Sequence, residues 1–427
     1  MRRSPSQTHL HLKKSFAYLI CFLYTIAIVA LLSPYMPLKG FELGSRTSAP
    51  GEFREIFSDT GIKVFQQDYP GQPSDFVTLV DLQAATIRNL TGAVNDEFIE
   101  RRNPREFWRS AVDDNSRNLR ARVVINGTFF GNGQSDTTNV AFGLKVRNRL
   151  ISYGYGLNEY PGLNKTLAFH SFAGYARLEN YDVQTFDSSI PDVIGALAAQ
   201  ADKSADRQLG RTFTGIIDRD QDSTPETVLF FSSTYSTQAH AANVLRSFGA
   251  TATAMLDGGG STSLIVNGID RIKTDRTLPH AIAIYSGKPQ DTIVSEAEND
   301  RCLNSAGFFG LFPTLSLANC NGSTGQRWSL IKGHLRASNN QCLEASLETS
   351  LEGSRGDASE GESGEGGRVQ LRRCSQSSNQ RWSYDNGALR TANNQCLDAG
   401  TLTVTADPEV LLRPCNRSLF QQWQRID

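Results

Sequence analysis

Residues 250–268 read ATATAMLDGGGSTSLIVNG. Two strand-like runs, 251–256 and 263–266, flank Asp257, three glycines, Ser261 and Thr262. Gly258, Gly259 and Gly260 can take backbone angles that a Cβ forbids, so their amides can turn into one concavity and hold an anion. The other reading is a glycine-rich hairpin turn in which Asp257 bonds its own backbone. The stretch alone leaves both open.

Outward from it, the flanking pattern is strand-rich. The run before it, 237–247, is helical, with Thr237 as cap, Ala241, Val244 and Leu245 on the apolar face, and Gly249 as terminator. Earlier, 122–131 (RVVINGTFFG) is a buried strand running into Asn126-Gly127, where Asn126 serves either a turn or a site. Strands are expected at 62–65, 76–82 and 227–232, and a hairpin at 142–153. The segment 97–118 reads as helical with Pro104 near its start, and 193–201, rich in alanine, reads as a further helix. Asp218, Asp220 and Asp222 have the spacing of a calcium loop. Ser223 and Leu229, however, occupy the positions where that loop has Gly and Glu, so two strands joined by a polar hairpin are expected instead. His240 and His280 are lone histidines near helix and strand starts.

At 427 residues the chain has room for two or three domains. Its net charge of −1, with no basic concentration beyond the first fourteen positions, gives no nucleic-acid footprint. Those first residues carry Arg2, Arg3, Lys13 and Lys14, and 16–32 contain no charge. The reading is a basic cytoplasmic tail at 1–14, an uncleaved transmembrane signal-anchor at 15–38 and a polar stalk at 39–60, with the remainder outside the cytoplasm.

Beyond residue 300 the chain repeats. Gln-x-Trp occurs at 326–328, 380–382 and 421–423, and GHLRASNNQCLEAS (333–346) nearly duplicates GALRTANNQCLDAG (387–400). All cysteines except Cys21 lie here: Cys302, Cys320, Cys342, Cys374, Cys396 and Cys415. An even count in an extracytoplasmic region reads as a disulfide framework with fifteen possible pairings. The two cysteines preceding each Gln-x-Trp are 18, 32 and 19 apart, and the tryptophans 54 and 41 apart. Thirty-two exceeds nineteen by thirteen, as fifty-four exceeds forty-one, so one insertion explains both mismatches. It is visible as GSRGDASEGESGEGG, 353–367, a low-complexity stretch. In-repeat pairing follows: Cys302 with Cys320, Cys342 with Cys374, Cys396 with Cys415.

This threefold pattern resembles the ricin-type β-trefoil lectin family over 292–427. The resemblance implies tryptophans in a shared core, with sugar contact from an acidic residue after each first cysteine and from an Asn-Gln pair before each tryptophan. The second repeat offers Glu344, Asn379 and Gln380, and the third offers Asp398 but has Phe420 at the Asn position. The first has Asn304 and Gly325 there, and is expected to be structural only.

Residues 120–286 resemble the phosphodiester glycosidase family, through ING-TFF at 125–130, Arg211-Thr212, LDGGGST at 256–262, and Arg276 with 279–284. The domain expected at 61–290 is therefore α+β with a mixed sheet, followed by an all-β trefoil. The implied reaction is hydrolysis of a sugar-1-phosphodiester. Asp257 is the expected base or electrostatic stabiliser, and Arg211 the phosphate clamp. The amides of 258–260, with Ser261 and Thr262, would complete an anion cradle, assisted by Thr212 and Arg276. Asn126 would position phosphate or sugar hydroxyls, and His240 and His280 are candidates for proton transfer. No cofactor or metal is required, and the partners are a glycan or sugar-phosphate substrate and the membrane. The rival reading is a surface glycan-binding protein with an inactive first domain.

Overall fold

Strands that alternate between two buried faces dominate the first part of the chain. In Arg120–Asn126, Val123 and Ile125 enter one core while Ala121 and Val124 enter another. In Thr227–Ser236, Val228 and Phe230 share the first of those cores, whereas Leu229 and Phe231 face a third. A period of two with apolar residues on both faces requires cover on both sides. The computed structural model, which describes residues 52–131, 133, 135–298, 300–305, 315–346, 367–400 and 410–426, shows what provides it.

Two sheets face each other across the shared core, and each is backed by a helix. The larger sheet runs Arg54–Asp59, Ile62–Tyr69, Gln72–Asp81, Thr227–Ser236, Leu209–Ile217, Ala252–Met255, Asp192–Ala198, Asn164–His170 and Tyr175–Asn180. Helix Gln238–Ser247 covers its outer face with Ala241, Val244 and Leu245. The smaller sheet orders Ile269–Ile272, Leu264–Val266, Arg120–Asn126, His280–Ser286 and Ala85–Thr91. Helix Pro104–Asp113 backs it through Phe107 and Ala111. That helix begins as its sequence requires: Asn103 Oδ1 accepts from Arg105 N–H at 3.0 Å, and Glu106 accepts from Asn103 N–H at 2.8 Å, with Pro104 in the first turn.

Several expectations are corrected. Every ladder among the described residues is antiparallel, so the sheet is not mixed. The alanine-rich run at 193–201 forms the central strand Asp192–Ala198, buried at every position. A continuous apolar run fits a buried strand as well as a helix, and here burial on both faces outweighs alanine's helix propensity. Helix 97–118 shrinks to Pro104–Asp113, because Phe98–Glu100 pairs as a strand before the proline. The stalk at 39–60 contains the strand Arg54–Asp59, paired with Ile62–Tyr69. The tail and the anchor at 1–38 lie outside the described residues; among the described residues no helix is long and apolar enough to cross a membrane.

From Asp291 the strands form a third, all-antiparallel assembly of three repeats. Asp291–Ser295 pairs with the last strand, Trp423–Ile426, closing the ring. Trp328, Trp382 and Trp423 are buried, and each indole N–H donates to a carbonyl one repeat element away: Leu303 at 2.8 Å, Leu343 at 2.8 Å and Leu397 at 3.0 Å. The three disulfides have the in-repeat pairing. The low-complexity insertion lies outside the described residues except for Gly367.

The trefoil core is not closed by its own residues alone. Phe172, from the turn after Asn164–His170, is buried among the trefoil leucines and tryptophans. It meets Tyr384 edge-on at 5.6 Å between ring centroids, and the Arg425 guanidinium covers it at 4.7 Å.

Candidate active site

The 250–268 stretch crosses from one sheet to the other. Ala252–Met255 belongs to the larger sheet, where Phe213 opposes Met255, and Leu264–Val266 belongs to the smaller, where Leu264 opposes Ile125. The glycine loop is the crossing, and Asp257 stands at its entry. A cavity of about 300 Å³ opens there, lined by Phe129, Phe130, Phe142, Tyr155, Glu159, Lys203, Asp257, Gly258 and Gly259 among others.

Asn126 fixes Asp257 without touching its carboxylate. Its Nδ2 donates to the Asp257 carbonyl at 2.6 Å, while its Oδ1 accepts from Thr212 Oγ1 at 2.8 Å and Ser263 N–H at 3.1 Å. Asp257 N–H in turn donates to Gly127 O at 3.1 Å. One buried carboxamide thus ties together the ends of three strands. Asn126 and Thr212 are both buried, engaged within the protein and absent from the cavity lining, so the expected role in positioning substrate becomes one of positioning Asp257.

The Asp257 carboxyl is pushed up to about 6. Burial is the largest cause, offset in part by the Ser261 hydroxyl, Arg276, the Gly258 backbone and Lys203. Asp257 keeps some surface open to the cavity while protein surrounds it elsewhere. The Ser261 hydroxyl approaches this carboxyl without closing a hydrogen bond of normal length. Tyr155 nearby is raised by burial and by the carboxylates of Glu159 and Asp257.

The anion cradle is smaller than the sequence suggests. Ser261 and Thr262 are buried, and their amides donate to Gly258 O at 3.1 Å and Gly259 O at 3.3 Å. What faces outward is the backbone of Gly259 and Gly260, both exposed. Only some of the glycines are sterically required. A Cβ on Gly258 would lie 2.6 Å from Gly210 O, and Gly259 has φ +58, whereas a Cβ on Gly260 would meet nothing closer than 4.0 Å.

Arg211 lines the same cavity, but its guanidinium is engaged within the protein and not left open as the expected phosphate clamp. Its guanidinium donates to Ser236 O (3.2 Å), Lys203 O (2.9 Å), Gln238 Oε1 (3.3 Å), Ser204 O (2.6 Å) and Arg207 O (3.0 Å). A guanidinium has five N–H donors, and these five bonds spend them within the protein, three of them on the loop in front of its own strand. Ser204 in that loop has φ +57, a left-handed conformation that costs a serine about 1 kcal/mol or more and that the clamp sustains.

Neither histidine reaches the cavity. His280 is fully buried; its Nδ1 accepts from Thr128 N–H at 3.0 Å, so Nε2 carries the proton toward Asn89 Oδ1 at 3.1 Å. Burial lowers its pKa to about 3, leaving a neutral ring that supports the 126–128 turn. A Cβ on Gly127 would lie 1.9 Å from that ring, which accounts for the glycine. His240 instead pairs with Asp75 at 2.7 Å, which also accepts from Tyr69 at 2.8 Å. Asp75 raises the pKa of its imidazole.

The cationic groups facing Asp257 are Arg276 and Lys203. Arg276 lies over the Phe130 ring at 4.8 Å, with Arg101 at 5.1 Å from the same ring. The sequence does not single out Lys203, which sits in a polar loop with no motif around it. The carboxylates of Asp218, Asp220 and Asp222 do gather, their ligand atoms within 4.8 Å of one another, but two of them cap their own turn through Ser223 N–H (2.8 Å) and Thr224 N–H (2.7 Å).

In the trefoil, Gln326, Gln380 and Gln421 are buried and do the same structural work. Each accepts from a loop amide, at 2.9, 2.7 and 2.8 Å, and donates to a strand carbonyl, at 2.8, 3.1 and 3.1 Å. Gln380 also donates to Glu344 at 2.8 Å, and Gln421 to Asp398 at 3.1 Å. Gln380 therefore orients Glu344 and offers nothing to a sugar, and Asp398 is itself only 1% exposed. Asn379 is exposed and Glu344 half-buried, so the second repeat presents the more open pair.

Residues 290–423 match the ricin-type beta-trefoil lectin domain, a carbohydrate-binding domain. The three disulfides accord with an oxidising compartment. No curated protein matches the chain. Among solved structures, it is similar to the Vibrio vulnificus hemolysin/cytolysin beta-trefoil lectin with N-acetyl-D-lactosamine bound, at 19% identity and TM-score 0.25, over 33% of this chain and 96% of that one. A hypothetical protein from Synechocystis aligns at 12% identity and TM-score 0.37, over 56% and 65%. The zebrafish N-acetylglucosamine-1-phosphodiester alpha-N-acetylglucosaminidase catalytic domain, auto-inhibited by its pro-peptide, aligns at 13% identity and TM-score 0.35, over 55% and 81%. Likenesses this distant assign no activity to the chain.

Proposed function

We propose that residues 61–290 hydrolyse sugar-1-phosphodiesters and that the trefoil, residues 292–427, holds the enzyme near glycan, outside the membrane to which the apolar segment 15–38 anchors it. The observation that carries this reading is Asp257: a carboxyl raised to about 6, at the floor of an aromatic-walled cavity with cations opposite. Tyr155, the exposed aromatic residue of the lining, offers a face for a sugar ring. Arg276 and the exposed glycine backbone provide the positive side for phosphate.

At neutral pH the Asp257 carboxylate is ionised and accepts a proton from water as the water oxygen bonds to the anomeric carbon. The bond from that carbon to the phosphate oxygen breaks, and its electron pair leaves with a phosphomonoester whose second pKa is about 6. Such a leaving group requires little protonation, so one carboxyl suffices where ordinary glycosidases use two. Asn126 holds the base in place through the Asp257 carbonyl and leaves the carboxylate free to titrate. Incubating the full-length protein with a panel of hexose 1-phosphate diesters tests the proposal: release of free sugar is expected, falling as pH drops through about 6. Absence of release across the panel would leave the glycan-binding reading.

A further inference from the structure

We infer that Lys203 is the residue that selects an anionic substrate in this cavity, and that Arg211 and Gln238 act as positioning residues for it. The inference rests on the sugar-1-phosphodiester reading for the identity of the anion, but the geometry stands separately.

Lys203 lines the cavity beside Asp257. Its Nζ lies 4.6 Å from the centre of the Tyr160 ring and 5.4 Å from that of Phe129. Two aromatic rings attract the ammonium through their faces. A lysine on a free loop would spread over many rotamers, so a fixed head group requires a fixed backbone.

That backbone is held from behind. Arg211 binds the carbonyls of Lys203, Ser204 and Arg207, and Gln238 Oε1 accepts from the Lys203 N–H at 2.9 Å. Gln238 Nε2 donates to Ala201 O at 2.8 Å and Ala199 O at 3.2 Å, fixing the approach to the loop. Ser204 sits at φ +57, immediately after the lysine, which turns the chain so that the following residues leave the cavity. A buried guanidinium with three of its five bonds on one loop, and a buried carboxamide on the same loop, are costly devices for holding an ordinary surface turn. They converge on Lys203, whose ammonium, unlike the internally bonded Arg211 guanidinium beside it in the lining, has no hydrogen-bond acceptor competing for it among the described residues.

Asp257 lies within electrostatic reach of both Lys203 and Arg276. A phosphate seated between these cations would bring the anomeric carbon toward the carboxylate, and a neutral sugar would gain nothing from Lys203.

The test compares glucose 1-phosphate with glucose as probes, by calorimetry on the full-length protein. Lys203→Met should weaken glucose 1-phosphate binding about 10- to 100-fold, in keeping with loss of a charge-assisted contact, and leave glucose binding unchanged. Gln238→Ala should weaken glucose 1-phosphate about 3- to 10-fold in the wild-type background and less than about twofold in Lys203→Met, because its effect passes through the lysine. Circular dichroism confirms folding, and Gln238→Ala stands in for Arg211 if Arg211 variants do not fold. Equal affinity of wild type and Lys203→Met for glucose 1-phosphate, equal loss of both probes, or an undiminished Gln238→Ala effect in the double variant overturns the inference. Failure of the hydrolysis assay alone refutes the enzymatic reading and leaves this result standing.

Discussion

Both halves of this protein use a buried carboxamide to hold an acidic residue, and they grip it at different points. In the trefoil, Gln380 and Gln421 donate to the carboxylates of Glu344 and Asp398 themselves. In the first domain, Asn126 donates to the main-chain carbonyl of Asp257. A carboxylate that already accepts hydrogen bonds from a buried amide is a fixed acceptor, and Asp398 is enclosed besides. One held by its backbone remains free to exchange a proton, and burial raises it to about 6. On the proposed reading, the difference is between a carboxylate held for structure and one left to react.

The largest effect expected from breaking that contrast is at Asp257. Asp257→Asn should lower sugar release by about 10²- to 10⁴-fold, the range of a general base. The same change should raise the melting temperature by a few degrees at pH 7.5. The sign follows from the raised pKa: the folded state disfavours the ionised form, so the penalty develops between pH 3.8 and about 6 and is complete above it. Melting curves for the two proteins should therefore converge below pH 3.8. A variant that melts lower at pH 7.5 would show that Asp257 is a structural ion.

Next in size is Asn126→Ala, which strands the Thr212 hydroxyl and Ser263 amide in the interior. It should cost about 2–4 kcal/mol in urea unfolding. Equal stability would mean that the three strand ends do not depend on their common amide. Smaller again, Gln421→Ala leaves Asp398 buried without its amide donor and should cost about 2 kcal/mol. Gln326→Ala removes the same two backbone bonds but no carboxylate partner, since Asn304 occupies that place, and should cost about 1 kcal/mol. Equal losses would erase the distinction between repeats. The smallest change expected is Gly260→Ala, within about 0.5 kcal/mol of wild type because a Cβ there has open space. Gly258→Ala should be clearly worse, since its Cβ meets Gly210 O.

The two regions are also unequally legible in the sequence. The trefoil repeats its information: three tryptophans and a thirteen-residue discrepancy counted twice place the disulfides without help from the fold. The first domain states each feature once. Its strands and helix caps can be read, because periodicity and capping are local, and Asp257 stands out beside its glycines. The partners of Arg211 cannot. Residue type says that a guanidinium has five donors, and nothing local says that five protein acceptors wait for them. Lys203 is invisible for the converse reason: its importance comes from Phe129 and Tyr160, residues distant along the chain. The 193–201 run misleads because alanine content is a local signal, while burial on both faces is a tertiary one.

Phe172 has a bearing on how the chain comes apart. A hydrophobic side chain donated by one lobe to the core of the other couples the stability of the two, since pulling the lobes apart exposes an aromatic ring and the socket it filled. The lectin is then less a tag that could be clipped off than a counterpart that the first domain completes, and a protease nick between them would leave the halves associated.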